Sequence, residues 1–372
     1  MRCARIASGI ERKRKMPNYY DWHTTLSYDA DITMVIGPRG VGKTFGLRKQ
    51  CIEDYIKRGS RFVEVVRYKN ELSDVSDGYF NRLQEMFDGY IFRTNAHYGY
   101  IAKEPARDDN DEYVCKPDWN MLCYFTALTE GQKLKKRTFD KVRRIIFDES
   151  ILESDDRFHH YLPNEFEKLA NLVDTVSRER ADNESIPPRL YLLGNACDIS
   201  NPYFAAYRVE TDLHSGYRWY AKKTFLLHYL EPDEYSREKA KGTVAGRMLS
   251  GTRTGNTSIY NEFSIASSDF VKAKPKTAKF SFGIVVDGKR FGIWADVNEG
   301  LYFVNTKIPE NTDKPVYSLT AEDHGVNYLA AQRANKTLSY FRDMYYMNAI
   351  RYSTPIVKQQ FLEMVLARFG IR

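Results

Sequence analysis

Residues Met34 to Thr44 read MVIGPRGVGKT, and the rest of the chain can be read outward from them. Ile32, Met34, Val35 and Ile36 form a short apolar run that predicts a buried strand. The eight residues that follow are Gly37, Pro38, Arg39, Gly40, Val41, Gly42, Lys43 and Thr44. They match the P-loop (Walker A) pattern G-x-x-x-x-G-K-[ST] at every fixed position. Glycine at 37, 40 and 42 allows a tight turn whose N–H groups point inward at phosphate oxygens. Lys43 supplies a mobile ammonium for the β- and γ-phosphates of ATP, and the Thr44 hydroxyl is a candidate ligand for Mg2+. From Thr44 to Arg58, the residues Leu47, Cys51, Tyr55 and Ile56 recur at mixed spacing, and Gly59 follows. This predicts a helix whose positive N-terminus faces the anion. A glycine-rich turn that only joins a strand to a helix is the plain alternative, and a second nucleotide motif downstream weighs against it.

Arg144 to Glu149, RIIFDE, supplies that second motif. It reads as an apolar strand ending on two acids, the Walker B pattern. Asp148 is expected to hold Mg2+, directly or through water, and Glu149 to orient and deprotonate the attacking water. A strand that merely ends on acids is the alternative. Arg189 to Gly194 (RLYLLG) predicts another strand, and Asn195 at its end is placed to sense the γ-phosphate. P-loop, Walker B and Asn195 at strand ends suit a parallel α/β sheet. Asn164 to Asp182 carries Phe166, Leu169, Leu172, Val173 and Val176 on one face, which predicts an amphipathic helix. Arg178, near its end, is either an ordinary helix-end cation or an arginine finger for a neighbouring subunit; spacing alone favours the former.

Arg61–Arg67 predicts a strand with Lys69 just past its end; 71–87 a helix; 90–125 a hairpin excursion; Met121–Leu128 a strand. A basic loop with Lys133, Lys135, Lys136 and Arg137 follows. Asn201-Pro202 signals a turn, and Trp219–Tyr229 a strand or hairpin. From Lys279 the pattern alternates around Asp287-Gly288 and again near Asn298 to Gly300, which predicts two hairpins. Helices are expected within 321–352 and at 355–368. The expected division is a basic tail at 1–18, a P-loop ATPase domain at 19–229, a helical linker at 230–264 and an α+β domain at 265–372.

Composition excludes several classes. At 372 residues, 42% hydrophobic and 28% charged, the chain has the make-up of a globular protein with a sizeable core. No apolar run approaches the ~20 residues of a membrane helix. The first 15 residues are basic without an apolar core, so they do not read as a secretory signal; Met16 is a second candidate start. Five cysteines without a C-x-x-C pair favour neither disulfides nor zinc and suit a reducing cytoplasm. The net charge of +7 is uneven: residues 1–18 carry +5, residues 265–372 another +5, and the middle −3. The basic C-terminal region is either a nucleic-acid surface or a solvated face.

Taken together, several stretches resemble the packaging-motor ATPase of phi twenty-nine-type bacteriophages. They are LSYD (Leu26 to Asp29), VIGPRGVGKT, VRYKNEL (Val66 to Leu72), IIFDE, LPNE (Leu162 to Glu165), LVDTVSR (Leu172 to Arg178), GNACDISNPYF (Gly194 to Phe204) and FGIWADVNEGLYFVNT (Phe291 to Thr306). The resemblance implies an ASCE-type ATPase domain, a helical linker and a degenerate RNase H-like C-terminal domain. It implies a ring, usually of five subunits, docked on a viral portal in the host cytoplasm and driving double-stranded DNA into a procapsid. A structural RNA serves some members. By resemblance Lys43, Thr44, Asp148 and Glu149 keep their roles, and Arg178 becomes the trans-acting finger. Asn195 couples hydrolysis to movement, Lys135 (or Lys133) acts in trans, and Lys69 lines the DNA pore. The first strand of the C-terminal domain, Phe280 to Val286, holds no acid, whereas a working RNase H-like nuclease needs carboxylates for two metals. Nuclease activity is therefore not expected. The rival readings are a nucleotide-gated assembly protein, which needs no base such as Glu149, and a helicase-type ATPase, which calls for aromatic stacking platforms.

Overall fold

The computed structural model describes residues 20–76, 78–134, 137–152, 160–178, 187–197, 199–209, 213–231, 242–249, 270–325, 329–330 and 335–366. The basic tail, Lys135 and most of 230–264 lie outside the described residues.

Strand β1 (Ile32–Ile36) carries the P-loop and is buried on both faces: Met34 and Ile36 join one core, Val35 the other. Apolar side chains on both sides are what a strand covered by helices requires. β1 lies parallel to β7 (Arg189–Gly194) on one side and β9 (Phe225–Tyr229) on the other. Beyond β7 come β6 (Val142–Phe147), β2 (Arg61–Val66) and β5 (Asn120–Ala127), all parallel. Antiparallel strands close both edges: β3 (Tyr90–Thr94) and β4 (Tyr98–Lys103) beside β5, and β8 (Gly216–Tyr220) beside β9. The order is β3-β4-β5-β2-β6-β7-β1-β9-β8. The ends of β1, β7 and β6 therefore stand side by side. This is the parallel P-loop sheet that the strand-end motifs predict, in the ASCE-type arrangement that the resemblance implies. Residues 216–229 form a hairpin, which resolves the strand-or-hairpin alternative.

Short helix α1 (Trp22–Ser27) begins on the Asp21 carboxylate, which accepts from the His23 N–H. Helix α2 (Lys43–Arg58) follows the P-loop and stops at Gly59, whose positive φ of 71° lets its N–H reach the Tyr55 carbonyl. It buries Leu47, Cys51 and Ile52 but leaves Ile56 37% exposed, so the four residues that marked the helix do not share one face. Ile56 is nine residues after Leu47, roughly half a turn around the helix, so it points the opposite way. The helix expected over 71–87 is two short ones, α3 (Glu71–Ser76) and α4 (Asn81–Gln84), broken where Gly78 takes φ 69°. The basic loop opens with one turn, α5 (Gly131–Leu134). α6 (Glu165–Arg178) buries Leu169, Leu172 and Val176, as its periodicity predicts. At Asn201-Pro202 the structure corrects the turn reading. The Asn201 side chain caps α7 (Pro202–Tyr207) by accepting from the Phe204 N–H at 3.0 Å, and proline suits the first helical position. α8 (Val244–Leu249) lies within the expected helical segment.

The C-terminal body is built on β10 (Lys279–Val286), β11 (Lys289–Asp296), β12 (Leu301–Asn305), β13 (Val316–Ser318), β14 (Leu329–Ala330) and β15 (Ile350–Tyr352), in the order β14-β13-β10-β11-β12-β15. Asp287 and Gly288, at φ 47° and 73°, make the tight turn between β10 and β11. Helices α9 (Lys336–Tyr346) and α10 (Pro355–Phe361) bury Phe341 and Phe361 against Phe282, Phe291 and their neighbours. α10 also packs against α7 of the first body.

Candidate active site

The P-loop turns as its glycines allow, for two different reasons. Gly40 and Gly42 sit at φ 79° and 81°, where a side chain is strained. At Gly37 the pressure is one of space: a Cβ there would lie 2.3 Å from Leu230 Cδ1, so the leucine side chain would have to move. The loop is held from outside by α1 and the residues before it. The Tyr20 N–H donates to the Val41 carbonyl at 2.9 Å, and Trp22 Nε1 donates to the Lys43 carbonyl at 2.7 Å. Neither contact was legible in the motif.

Three strand ends converge on one cavity of about 480 Å³. The P-loop contributes Arg39, Lys43 and Thr44, the end of β6 contributes Asp148 and Glu149, and the end of β7 contributes Asn195. Phe45, Ile151 and Leu152 add apolar wall. Lys43 is 7% exposed and folds back on the loop, its Nζ donating to the Gly37 carbonyl at 2.6 Å, the Pro38 carbonyl at 2.9 Å and Asn195 Oδ1 at 3.2 Å. Burial lowers its pKa to about 8 against the opposing pull of Asp148. An arriving phosphate would replace the neutral carbonyl acceptors with charged ones, which make stronger hydrogen bonds. Thr44 and Asp148 supply only oxygen donors to the cavity, the set that a hard cation such as Mg2+ takes.

The backbone around the candidate base is unusual. Glu149 is in the left-handed region at φ 51°, a conformation that costs a non-glycine residue roughly 1–2 kcal/mol. Its N–H donates to Asp148 Oδ1 at 3.0 Å. The next residue is tied to β7: the Ser150 N–H and Oγ both donate to the Leu193 carbonyl, at 2.8 and 2.9 Å. The Gly37 N–H reaches the Gly194 carbonyl at 3.2 Å, so β7 also ties the P-loop.

Lys43, Thr44, Asp148, Glu149 and Asn195 are thus brought together, and two expected residues are not among them. Arg178, at the end of α6, is 65% exposed and pairs with Asp174 at 2.7 Å; it does not line the cavity. Lys69 is 62% exposed and lies 3.8 Å from Glu130. Lys135 falls outside the described residues, while Lys133 is exposed. The sequence reading also missed a buried network behind the base. Arg67, 4% exposed, and Glu165, fully buried, form a two-pronged ion pair. Both fall inside motifs quoted for the resemblance, but nothing in their spacing says that they meet.

The profile of the family described as Podovirus DNA encapsidation protein (Gp16) matches residues 15–364. The chain is 35% identical over 298 residues to a DNA packaging protein of Bacillus phage B103, covering 80% of this chain and 84% of that one. It is 33% identical over 311 residues to the DNA packaging protein of Bacillus phage phi29, covering 84% and 85%. Its structure is similar to a chain of the bacteriophage Phi-29 viral genome packaging motor assembly. The TM-score is 0.64 at 26% identity, covering 95% of this chain and 99% of that one. With a family match spanning nearly the whole sequence, this chain belongs to the podovirus DNA encapsidation proteins.

Proposed function

We propose that this chain is the ATP-hydrolysing subunit of a ring that drives double-stranded viral DNA into a procapsid. The observation that carries the reading is the convergence of Lys43, Asp148, Glu149 and Asn195 from three adjacent strand ends on one cavity, in a member of a DNA encapsidation family. Lys43 and the P-loop N–H groups bind the β- and γ-phosphates. Thr44 and Asp148 would hold Mg2+, which neutralises charge on the phosphates when bound. Glu149 orients the attacking water and takes its proton. Asn195, already hydrogen-bonded to Lys43, is placed to register whether the γ-phosphate is present.

Arg178 and Lys135 are read as groups serving a neighbouring subunit, consistent with Arg178 standing outside its own cavity. A pentameric ring docked on the portal in the host cytoplasm is the assembly proposed, with a structural RNA as a further candidate partner. Lys69, exposed on the loop after β2, is proposed to contact DNA. In the body at 265–372, Asp296 accepts from Thr277 Oγ1 and from the N–H groups of Asn298 and Glu299, so its carboxylate organises a turn. That body is read as a nucleic-acid or portal-binding domain that does not cut DNA.

The test is the ATPase rate of the full chain with and without duplex DNA. Lys43→Ala loses nucleotide binding, because Lys43 contacts phosphate in the ground state. Glu149→Gln binds ATP and barely hydrolyses it. Normal turnover by Glu149→Gln, or no response to DNA in assembled rings, refutes the reading.

A further inference from the structure

Behind the candidate base lies a buried polar network of Arg67, Glu165 and Tyr203, none of which lines the cavity. Arg67 follows β2 and its guanidinium makes four hydrogen bonds in one plane-like fork. Nε and one terminal nitrogen grip the Glu165 carboxylate at 2.8 and 3.0 Å. The two terminal nitrogens also donate to backbone carbonyls, that of Glu149 at 3.2 Å and that of Ser150 at 3.0 Å. Each Glu165 oxygen accepts a second bond as well: Oε1 from the Tyr203 hydroxyl at 2.7 Å, and Oε2 from the Leu162 N–H at 2.8 Å. Arg67, Glu165 and Tyr203 are 4%, 0% and 0% exposed. The rings of Phe147 and Tyr161 sit 5.2 and 5.4 Å from the guanidinium carbon.

We propose that Arg67, locked in place by Glu165 and Tyr203, is a positioning residue that holds the strained backbone of Glu149 so that its carboxylate faces the nucleotide. The inference rests on Glu149 being the base. Glu149 adopts φ 51°, which a glutamate does not hold unaided. Its peptide is fixed from both sides: Ser150 ties it to β7, and Arg67 ties it to β2 and α6. A guanidinium grips the carboxylate with two nitrogens and still reaches both carbonyls, four bonds in all; an ammonium has three N–H donors on one nitrogen and cannot make the two-pronged grip as well. Glu165 is also the first residue of α6, whose last residue is Arg178. Tyr203 sits on α7, against which α10 of the C-terminal body packs. One buried network therefore joins the base, the helix bearing the candidate finger, and the helix touching the second body.

Arg67→Lys tests the fork and Tyr203→Phe tests its lock with a smaller change, which keeps the test usable if the first variant fails to fold. Both are compared with the wild type and Glu149→Gln as full-length chains, assembled rings being confirmed by native mass. Displacing a reacting group by about 1 Å can cost on the order of 10²-fold. Arg67→Lys is therefore expected to lower kcat by about 10- to 100-fold while KM for ATP stays within about twofold. Tyr203→Phe is expected to lower kcat less, again without moving KM. A purely structural role would lower the melting temperature and leave kcat per folded ring unchanged. An inert Glu149→Gln beside folded Tyr203→Phe or Arg67→Lys rings with wild-type kcat overturns the positioning role alone. An active Glu149→Gln overturns the assignment of the base, and this inference with it.

Discussion

Replacing Arg178 with alanine should separate catalysis from stability by an order of magnitude in free energy. In the folded chain Arg178 contacts Asp174 at 2.7 Å, one helical turn away, and the two side chains are 65% and 57% exposed. An exposed pair of this kind is worth about 0.3–0.5 kcal/mol, so folding is nearly unchanged and the melting temperature falls by no more than about 2 °C. A finger acting on a neighbour's phosphoryl group is worth about 10³ to 10⁵ in rate, or roughly 4–7 kcal/mol. ATP binding survives, because each subunit keeps its own Lys43 and Asp148. The decisive assay mixes Arg178→Ala with Glu149→Gln subunits, each inactive alone. Turnover returns where the intact Arg178 of one meets the intact Glu149 of the other. If native mass shows mixed rings and every mixture gives only the sum of two inactive proteins, Arg178 is no finger. It is then the helix-end cation that its spacing first suggested.

Three more outcomes are expected. Gly46→Ala usually favours a helix by ~1 kcal/mol. Here the added Cβ would lie 2.7 Å from Trp22 Cδ1, whose ring is 4% exposed and held by its bond to the Lys43 carbonyl. A net loss of about 1–3 kcal/mol in thermal or denaturant unfolding should result, and a gain refutes the packing. Glu363, beside a cavity of about 520 Å³ that also takes in Glu167, Asp287 and Lys289, has its pKa raised by burial from 4.5 to about 7. Glu165 and Glu167 add to the rise, while Gln359 and Lys289 oppose it. The folded chain then keeps a proton that the unfolded chain has released, so this residue's contribution falls as pH climbs through that window. Glu363→Gln should stabilise by up to about 3 kcal/mol at pH 8 and by much less at pH 5; an equal gain at both refutes it. Finally, the full chain incubated with duplex DNA and Mg2+ or Mn2+ should leave it uncut, and its DNA affinity should fall steeply with salt. Cleavage would show that carboxylates outside β10 suffice.

Much of this molecule is written in local pattern. The P-loop, the Asp148-Glu149 pair at a strand end, the stripe of α6 and the Asp287-Gly288 hairpin each lie within a few consecutive residues. Period and turn chemistry specify such units before any long-range contact forms. Where the local pattern is ambiguous, neighbouring chain decides the outcome. A run of mixed polarity over 71–87 did not reveal the break at Gly78, and Asn201-Pro202 serves a turn or a helix cap equally well until the following chain chooses. What only the tertiary structure decided is which distant residues meet. Arg67 and Glu165 are 98 residues apart, and any of many acids could have answered that arginine. Leu230 packs over Gly37, and Trp22 closes on the back of Lys43, through contacts that no periodicity encodes. The order of the sheet likewise places β7 between the Lys43 and Asp148 strands, which brings Asn195 to Lys43. Spacing records which face a residue occupies; packing of one face against another settles its partner, because that choice depends on the shape of the whole core.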